Sequence, residues 1–258
     1  MPELQLGSFA ASLGILFLKG VRFATVIDLG CADGHFYLEQ LEYGIIPGSI
    51  CVNVDANAMY EPSLSQIQEV IGGHYAIAAI SDHDGEVELQ TGSHAYWASL
   101  LPPEDPYWAG SHNLPGPAIK VQALTLDTLV QRFALKPPFL LKLDLQGVEL
   151  AALRGGREML AETDVIICET ANDQFLSICE FLTARNFGLF DLTQIGRNAG
   201  DRTLCEFYPV FLNRRLDHIK TKEPWNPANN GAVIATMNQR RNGILDEIKR
   251  ILATRRAA

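Results

Sequence analysis

Thr25-Val-Ile-Asp-Leu-Gly30-Cys-Ala-Asp-Gly34-His-Phe36 begins as a short β-branched and apolar run and ends on two glycines four residues apart. The run reads as a buried strand, and the glycine-bounded stretch after it reads as a turn into a helix. Gly30 suits the tight turn, and Gly34 lets the helix pack close to the strand. Together they leave bare backbone for a ligand beside a helix N-terminus, with Ala32 and Asp33 among the contacts. The spacing is GxxxG rather than GxGxxG, and a plain strand-to-helix turn also accounts for it.

Working outward from that turn, short apolar runs alternate with longer amphipathic stretches. Upstream, 7–19 reads as a helix within an N-terminal segment, 1–22. Downstream come a helix over 33–43, a strand over 49–55, a helix over 61–71 with Pro62 in its first turn, and a strand over 75–80. Asp84-Gly85 reads as a hairpin turn between two short strands. Residues 93–117 form a long loop rich in Pro, Gly, His and aromatics, and long loops in compact domains are usually functional. The alternation resumes with strands over 119–123, 139–144 and 164–169, and helices over 126–133, 148–160 and 173–185. Strands near 188–192 and 204–212 come next.

Residues 226–231 read as a linker before a helix over 232–254. This order predicts an α/β fold: a Rossmann-like, mostly parallel central sheet with helices on both faces, spanning 23–215 with an insert at about 84–118. Residues 216–258 hold the linker and a C-terminal helix.

Composition narrows the function. The 258 residues are 47% hydrophobic and 20% charged, an ordinary globular balance, with a net charge of -9 that repels a phosphate backbone on average. No nucleic-acid partner is expected, although Arg240, Arg241, Lys249, Arg250, Arg255 and Arg256 cluster near the C-terminus, where a solvated helix face explains them. No basic region precedes an apolar stretch at the N-terminus, and the run 13–18 is too short to span a bilayer. Cys31, Cys51, Cys168, Cys179 and Cys205 contain no CxxC and read as small hydrophobes in a reducing compartment, the cytoplasm. No metal-ligand cluster is apparent.

In such sheets the ligand sits at the carboxyl ends of the strands. Asp55 ends the second strand about 20 residues beyond the glycine turn, where a carboxylate accepts both hydroxyls of a ribose; Ala56 comes directly after it, and a turn or cap role is the alternative. Ser81-Asp82 ends the third strand near a nucleobase edge, or forms a turn. At the fourth, Lys142 and Asp144 share one strand face, and two charges in an apolar strand are costly to bury without purpose. Asp144 points into the crevice, and Glu149 lies just inside the next helix. An ion pair of Lys142 with Glu149 or Glu169 is the structural alternative.

The chain resembles the FkbM-type branch of class I S-adenosylmethionine (SAM)-dependent methyltransferases over 24–192. Three pieces carry the resemblance: Val26 to Phe36; Ala79-Ile-Ser-Asp-His-Asp-Gly85; and Leu124-Thr-Leu-Asp-Thr-Leu129 before Leu141-Lys-Leu-Asp-Leu-Gln-Gly-Val-Glu-Leu150. It implies the class I methyltransferase fold, SAM as donor, and O-methylation of a hydroxyl on a sugar or natural product. Asp28 and Gly30 are then expected at the methionine end, Asp55 at the ribose and Ser81-Asp82 at the adenine. Asp144, Lys142 and Glu149 are the catalytic candidates, with Asp144 orienting the small-molecule acceptor or taking its proton. His94 and His112 are alternative bases, and Tyr96, Trp97, Tyr107 and Trp108 suit an apolar lid. Two rivals share this architecture. One is an NAD-type oxidoreductase, disfavoured by the missing GxGxxG. The other is a non-catalytic SAM-fold module whose C-terminal helix makes a docking or homodimer contact, with no membrane involved.

Overall fold

The structure is a computed structural model describing residues 5–94, 96–109, 115–171, 174–220 and 230–257. It forms two units, Met1–Asp217 and His218–Ala258. The first opens with α1 (Phe9–Leu18), capped by the Ser8 hydroxyl, which accepts from Ala11 N–H at 3.1 Å. Then come β1 (Thr25–Leu29), α2 (His35–Glu42), β2 (Ile50–Asp55), a 3-10 turn (Ala58–Tyr60), α3 (Glu61–Ile71), β3 (His74–Ile77), β4 (Ala79–Ile80) and β5 (Gly85–Gly92). The chain continues through α4 (Pro106–Ala109), β6 (Pro115–Leu124), α5 (Leu126–Arg132), β7 (Phe139–Leu143), α6 (Glu149–Arg154), α7 (Arg157–Ala161) and β8 (Thr163–Cys168). It ends with β9 (Thr170–Ala171), α8 (Phe175–Thr183), β10 (Phe187–Thr193), β11 (Glu206–Asn213) and a 3-10 turn (Arg214–Ile219). The second unit carries α9 (Asn230–Ala257), whose Ile234, Met237, Ile244, Leu245 and Ile248 are exposed. Among the described residues no helix is long and apolar enough to cross a membrane.

The main sheet has the order β10-β11-β8-β7-β1-β2-β3, with β9 pairing on β11. Pairing is parallel from β3 to β8, and β11 runs antiparallel to both its neighbours. This is the mostly parallel sheet expected of the class I methyltransferase fold. Its central strands β1, β7 and β8 are buried along their whole length, as continuous apolar runs covered on both faces require. Ile27, Leu29, Val52, Leu141, Leu143 and Ile166 stand in one core cluster.

Four local expectations change. The third strand divides: β3 stays in the main sheet, and β4 joins a separate sheet of order β4-β6-β5. Asp84-Gly85 is therefore not a hairpin turn, because β6 lies between β4 and β5. Asp84 instead accepts from Thr125 N–H and the Thr128 hydroxyl, both at 2.7 Å, tying the bend to the start of α5. The long loop is shorter than expected, since β6 begins at Pro115 and α4 interrupts it. The helix over 148–160 is two helices, broken at Gly155-Gly156. A Cβ at Gly155 would lie 2.4 Å from the Ser81 carbonyl oxygen, and one at Gly156 2.6 Å from Leu126.

Candidate active site

A cavity of about 540 Å³ opens at the carboxyl ends of β1, β2 and β7. The chain passes from one side of β1 to the other between β2 and β7, which makes this the topological switch point. Main-chain bonds carry the sheet past its strand ends: Gly30 N–H donates to Val54 O (2.9 Å), Asp144 N–H to Leu29 O (3.0 Å) and Glu169 N–H to Leu143 O (2.8 Å). Gly30, Asp144 and Glu169 thus stand in a row on the cavity wall.

Asp55 holds one end. Its carboxylate accepts from Ala32 N–H and Asn57 N–H, both at 2.8 Å, which ties the glycine turn to the end of β2. Burial pushes this carboxyl up, against the pull of those two N–H groups. A carboxylate has about four acceptor sites, so two remain for a ligand.

The other end is built on Lys142. In register Asp28 faces Lys142 across β1 and β7, and the Lys142 ammonium lies 3.1 Å from Asp28 and 3.3 Å from Asp144. Burial alone would lower the ammonium's pKa; Asp28 and then Asp144 more than reverse this, and Lys142 stays charged. Asp144 also accepts from Gln146 Nε2 (2.7 Å) and the Tyr208 hydroxyl (2.8 Å). Burial pushes Asp144 up, but Lys142 and these hydrogen bonds overcome it and hold the carboxyl below its ordinary value. Glu169 behaves oppositely: burial, then the charges of Asp144 and Glu149, push it well up.

These directions order the protons. Tyr208 Oη lies 2.8 Å from Asp144 and 3.3 Å from Glu169, and a phenol has one proton. Tyr208 gives it to the nearer, Asp144, whose pKa is lowered, while that of Glu169 is raised. Gln146 Nε2 spans the same carboxylates, 3.1 Å from Glu169, where its two N–H groups serve both. A glutamate at 146 would add a third acid.

Six of the twelve candidate residues line the cavity: Gly30, Ala32, Asp55, Ala56, Lys142 and Asp144. The other six do not. Asp28, expected at the methionine end, is 1% exposed and sits below the floor, paired with Lys142. Gly34 faces protein, since a Cβ there would lie 2.5 Å from Ile67 of α3. On the side where a Cβ would stand, Gly30 meets the Asp144 carbonyl at 1.8 Å, so that side holds no ligand, while its backbone lines the cavity. Asp33 is turned to the His35 ring (2.7 Å) and Asp82 to the His83 ring (2.7 Å), both at exposed positions. Ser81 is buried and outside the lining, and Ala78, Ala79 and Ile80 form that wall. Glu149 is 1% exposed and accepts from Leu145 N–H (2.7 Å) and Gly147 N–H (3.3 Å), so it holds the 145–147 turn instead of facing the cavity. Burial pushes its carboxyl up to about 7. Lys142 pairs with Asp28 and Asp144, not with Glu149 or Glu169.

Of the expected lid, Tyr96 and Trp97 line the cavity, and His94 packs edge-on against Trp97 at 5.2 Å. Trp108 is instead buried, donating to Leu101 O at 3.3 Å. The Tyr107 side chain and His112 lie outside the described residues. The wall also holds residues that sequence reasoning missed: Phe9 of α1, Gln194, and Glu206 and Tyr208 of β11. Phe9 packs edge-on against Phe36 (5.5 Å) and Tyr208 (5.1 Å). Glu206 is an exposed rim carboxylate with no hydrogen bond or ion pair among the described residues. Burial and then the Asp144 charge push it up.

The Methyltransferase FkbM domain family matches residues 50–189. The chain belongs to this family. FkbM-type methyltransferases use SAM. A comparison with curated proteins gives no match. Among solved structures, the chain is similar to the FkbM methyltransferase of Methylobacillus flagellatus KT, with 13% identity, a TM-score of 0.45, and coverage of 74% of this chain and 45% of that one. The chain thus spans less than half of that protein's length. It is also similar to precorrin-6y C5,15-methyltransferase of Geobacter metallireducens GS-15 (11% identity, TM-score 0.41, 78% and 84% covered). TrmN of Thermus thermophilus is a third such structure (12% identity, TM-score 0.39, 78% and 48% covered).

The Leu124–Leu129 piece of the FkbM resemblance has a mechanical reading here. Thr125 caps α5, accepting from Thr128 N–H at 3.1 Å. Asp127 reaches across to accept from Glu158 N–H (3.1 Å) and Met159 N–H (2.8 Å) at the start of α7. Thr125-Leu-Asp127 therefore joins two helix starts behind the site, whereas Lys142 and Asp144 of the next motif face the cavity.

Proposed function

We propose that this chain is a SAM-dependent O-methyltransferase whose acceptor is a hydroxyl on a small molecule, a sugar or natural product. One observation carries the reading: a single cavity joins the Asp55 carboxylate to the Asp144–Tyr208–Glu169 cluster. The residues fit the donor, because Asp55 keeps free acceptor sites for a ribose diol and Ala78, Ala79, Ile80 and Leu89 give an apolar wall for the base. The net charge of -9 supports a small-molecule acceptor over a nucleic acid. In this reading the catalytic unit is 23–215, Tyr96 to Leu100 of the insert stand on the cavity wall, and the free cysteines suit the cytoplasm.

SAM supplies an electrophilic methyl group on a sulfonium, so the protein's tasks are alignment and proton removal. Asp144, held ionised by Lys142, accepts a hydrogen bond from a second hydroxyl of the acceptor and so orients the reacting one. The same ammonium makes Asp144 a weak base. Glu206 stands on the same wall with a raised pKa and no hydrogen bond or ion pair among the described residues, and it takes the proton of the reacting hydroxyl.

Calorimetric titration with SAM and S-adenosylhomocysteine (SAH) tests the donor, and methyl transfer to a panel of sugars and phenols tests the acceptor. Glu206→Gln is expected to lower kcat by about 10²–10⁴-fold with SAH affinity within about twofold of wild type. Absence of SAM binding at millimolar concentration sinks the reading; an unchanged kcat removes Glu206 from it.

A further inference from the structure

The turn that orients Asp55 also buries a phenol. Asp55 accepts from Asn57 N–H at 2.8 Å, and the Asn57 side chain accepts from Met59 N–H at 3.2 Å. These two bonds wind 58–60 into the 3-10 turn and deliver Tyr60 at the start of α3. Tyr60 is 7% exposed and lines the cavity. Its hydroxyl is shut off from solvent and has no hydrogen-bond partner among the described residues. The ionisable groups acting on it are Asp55, then Tyr96, Asp33 and Cys31, of which all but Asp33 line the cavity, and the Tyr96 ring centroid lies 5.9 Å from its own. Buried polar groups are paired in native proteins with few exceptions, and an exception calls for a missing partner. Tyr60 lines the cavity directly after the turn held by Asp55, which points to a partner on that side.

We infer that the Tyr60 hydroxyl completes the nucleoside site, hydrogen-bonding one of the two ribose hydroxyls that Asp55 also engages. This rests on the proposed SAM site and adds a neutral second contact to its sugar. A carboxylate can only accept, whereas a phenol donates and accepts, so the pair satisfies a diol that neither satisfies alone. The hydroxyl is stranded in the apo protein and paired in the complex. It therefore lowers apo stability and raises affinity, whereas a structural tyrosine hydroxyl raises stability.

The test compares wild type and Tyr60→Phe with three probes: SAH and its 2′-deoxy and 3′-deoxy analogues. Tyr60→Phe is expected to weaken SAH about fivefold and to weaken one deoxy analogue less than about twofold, because that analogue lacks the contacted hydroxyl. The apo melting temperature of Tyr60→Phe is expected to equal or exceed that of wild type. SAH affinity within twofold of wild type, an equal penalty for all three probes, or an apo melting temperature lowered by several degrees overturns the assignment. Wild type that binds no SAH overturns the SAM site itself, a result separable from the others because it appears before any substitution is made.

Discussion

Lys142→Met keeps most of the side chain's volume and deletes the cation that serves both Asp28 and Asp144. Asp144 faces the cavity with 21% of its side chain exposed, so water can rehydrate it. Asp28 cannot relax in this way. It is 1% exposed, the ammonium at 3.1 Å is its one ion-pair partner among the described residues, and neither carboxylate oxygen has a hydrogen bond there. Breaking a buried pair by removing one partner costs about 3–5 kcal/mol. At roughly 2–4 °C per kcal/mol for a unit of this size, the melting temperature falls by about 6–20 °C. The loss depends on pH. Burial already raises the folded-state pKa of Asp28 with Lys142 present, and without Lys142 it rises further. Stability is then retained below the unfolded carboxylate range, about pH 4, and lost as pH climbs through the raised folded value. Urea unfolding followed by circular dichroism should show a larger deficit at pH 8 than at pH 5. The double variant Lys142→Met with Asp28→Leu removes both charges and should recover most of the loss. A single variant within about 1 kcal/mol of wild type at pH 8, or a double variant no better than the single, would refute the account.

Glu149 titrates at about 7 in the fold, above its unfolded value, so its contribution is complete below about pH 4 and lost on the way to pH 7. Glu149→Gln keeps an acceptor for Leu145 N–H and should gain about 3 kcal/mol relative to wild type at pH 8, with a flatter urea midpoint between pH 5 and 8. Gly30→Ala forces a Cβ to 1.8 Å from the Asp144 carbonyl at φ +65°, whereas Gly44→Ala at φ +69° meets nothing within 4 Å. The second should cost about 1–2 kcal/mol of backbone strain, and the first distinctly more together with loss of SAH binding; equal melting temperatures contradict the packing role of Gly30. Asp55→Ala removes charged hydrogen bonds to the ribose, at about 1.5–3 kcal/mol each, so SAH affinity should fall at least 100-fold by calorimetry.

The sheet was legible because its central strands are buried on both faces and read as unbroken apolar runs, with Asp28 and Lys142 as conspicuous interruptions. The split of the third strand was not legible. Tyr75 to Ile80 is one apolar run, and only the bonds of Asp84 to Thr125 and Thr128 show why β4 turns to a second sheet. The break at Gly155-Gly156 was marked by the glycine pair itself. At the site, Asp55 and Asp144 stand on the cavity wall where their strand ends set them, whereas Asp28, Ser81 and Glu149, set there by the same logic, lie outside the lining, because position along a strand does not say how deeply a side chain lies. Glu206 and Tyr208 carried a signal that strand reading alone could have used. They alternate on one face of β11, among Phe207, Val210 and Phe211, as polar groups in an otherwise apolar strand.

That alternation matters because the chemistry of the site depends on which carboxylates share one ammonium. Asp28 and Asp144 lie within 3.3 Å of Lys142, and for Asp144 the attraction exceeds the cost of burial, so it is held charged. Glu169 is governed by desolvation and the repulsion of two neighbouring acids, which push it well above its ordinary value. Glu206 is raised by burial and by the Asp144 charge but stands at the rim, where solvent limits the effect. Carboxyls of one chemical kind are thus set apart by burial, by the Lys142 ammonium beside Asp144 and by the repulsion of neighbouring acids, the arrangement that lets one carboxylate orient the acceptor and another deprotonate it. Removing Lys142 should therefore do more than unsettle the fold: it should let the Asp144 carboxyl rise toward that of Glu169, and the orienting group and the proton acceptor would no longer be distinct.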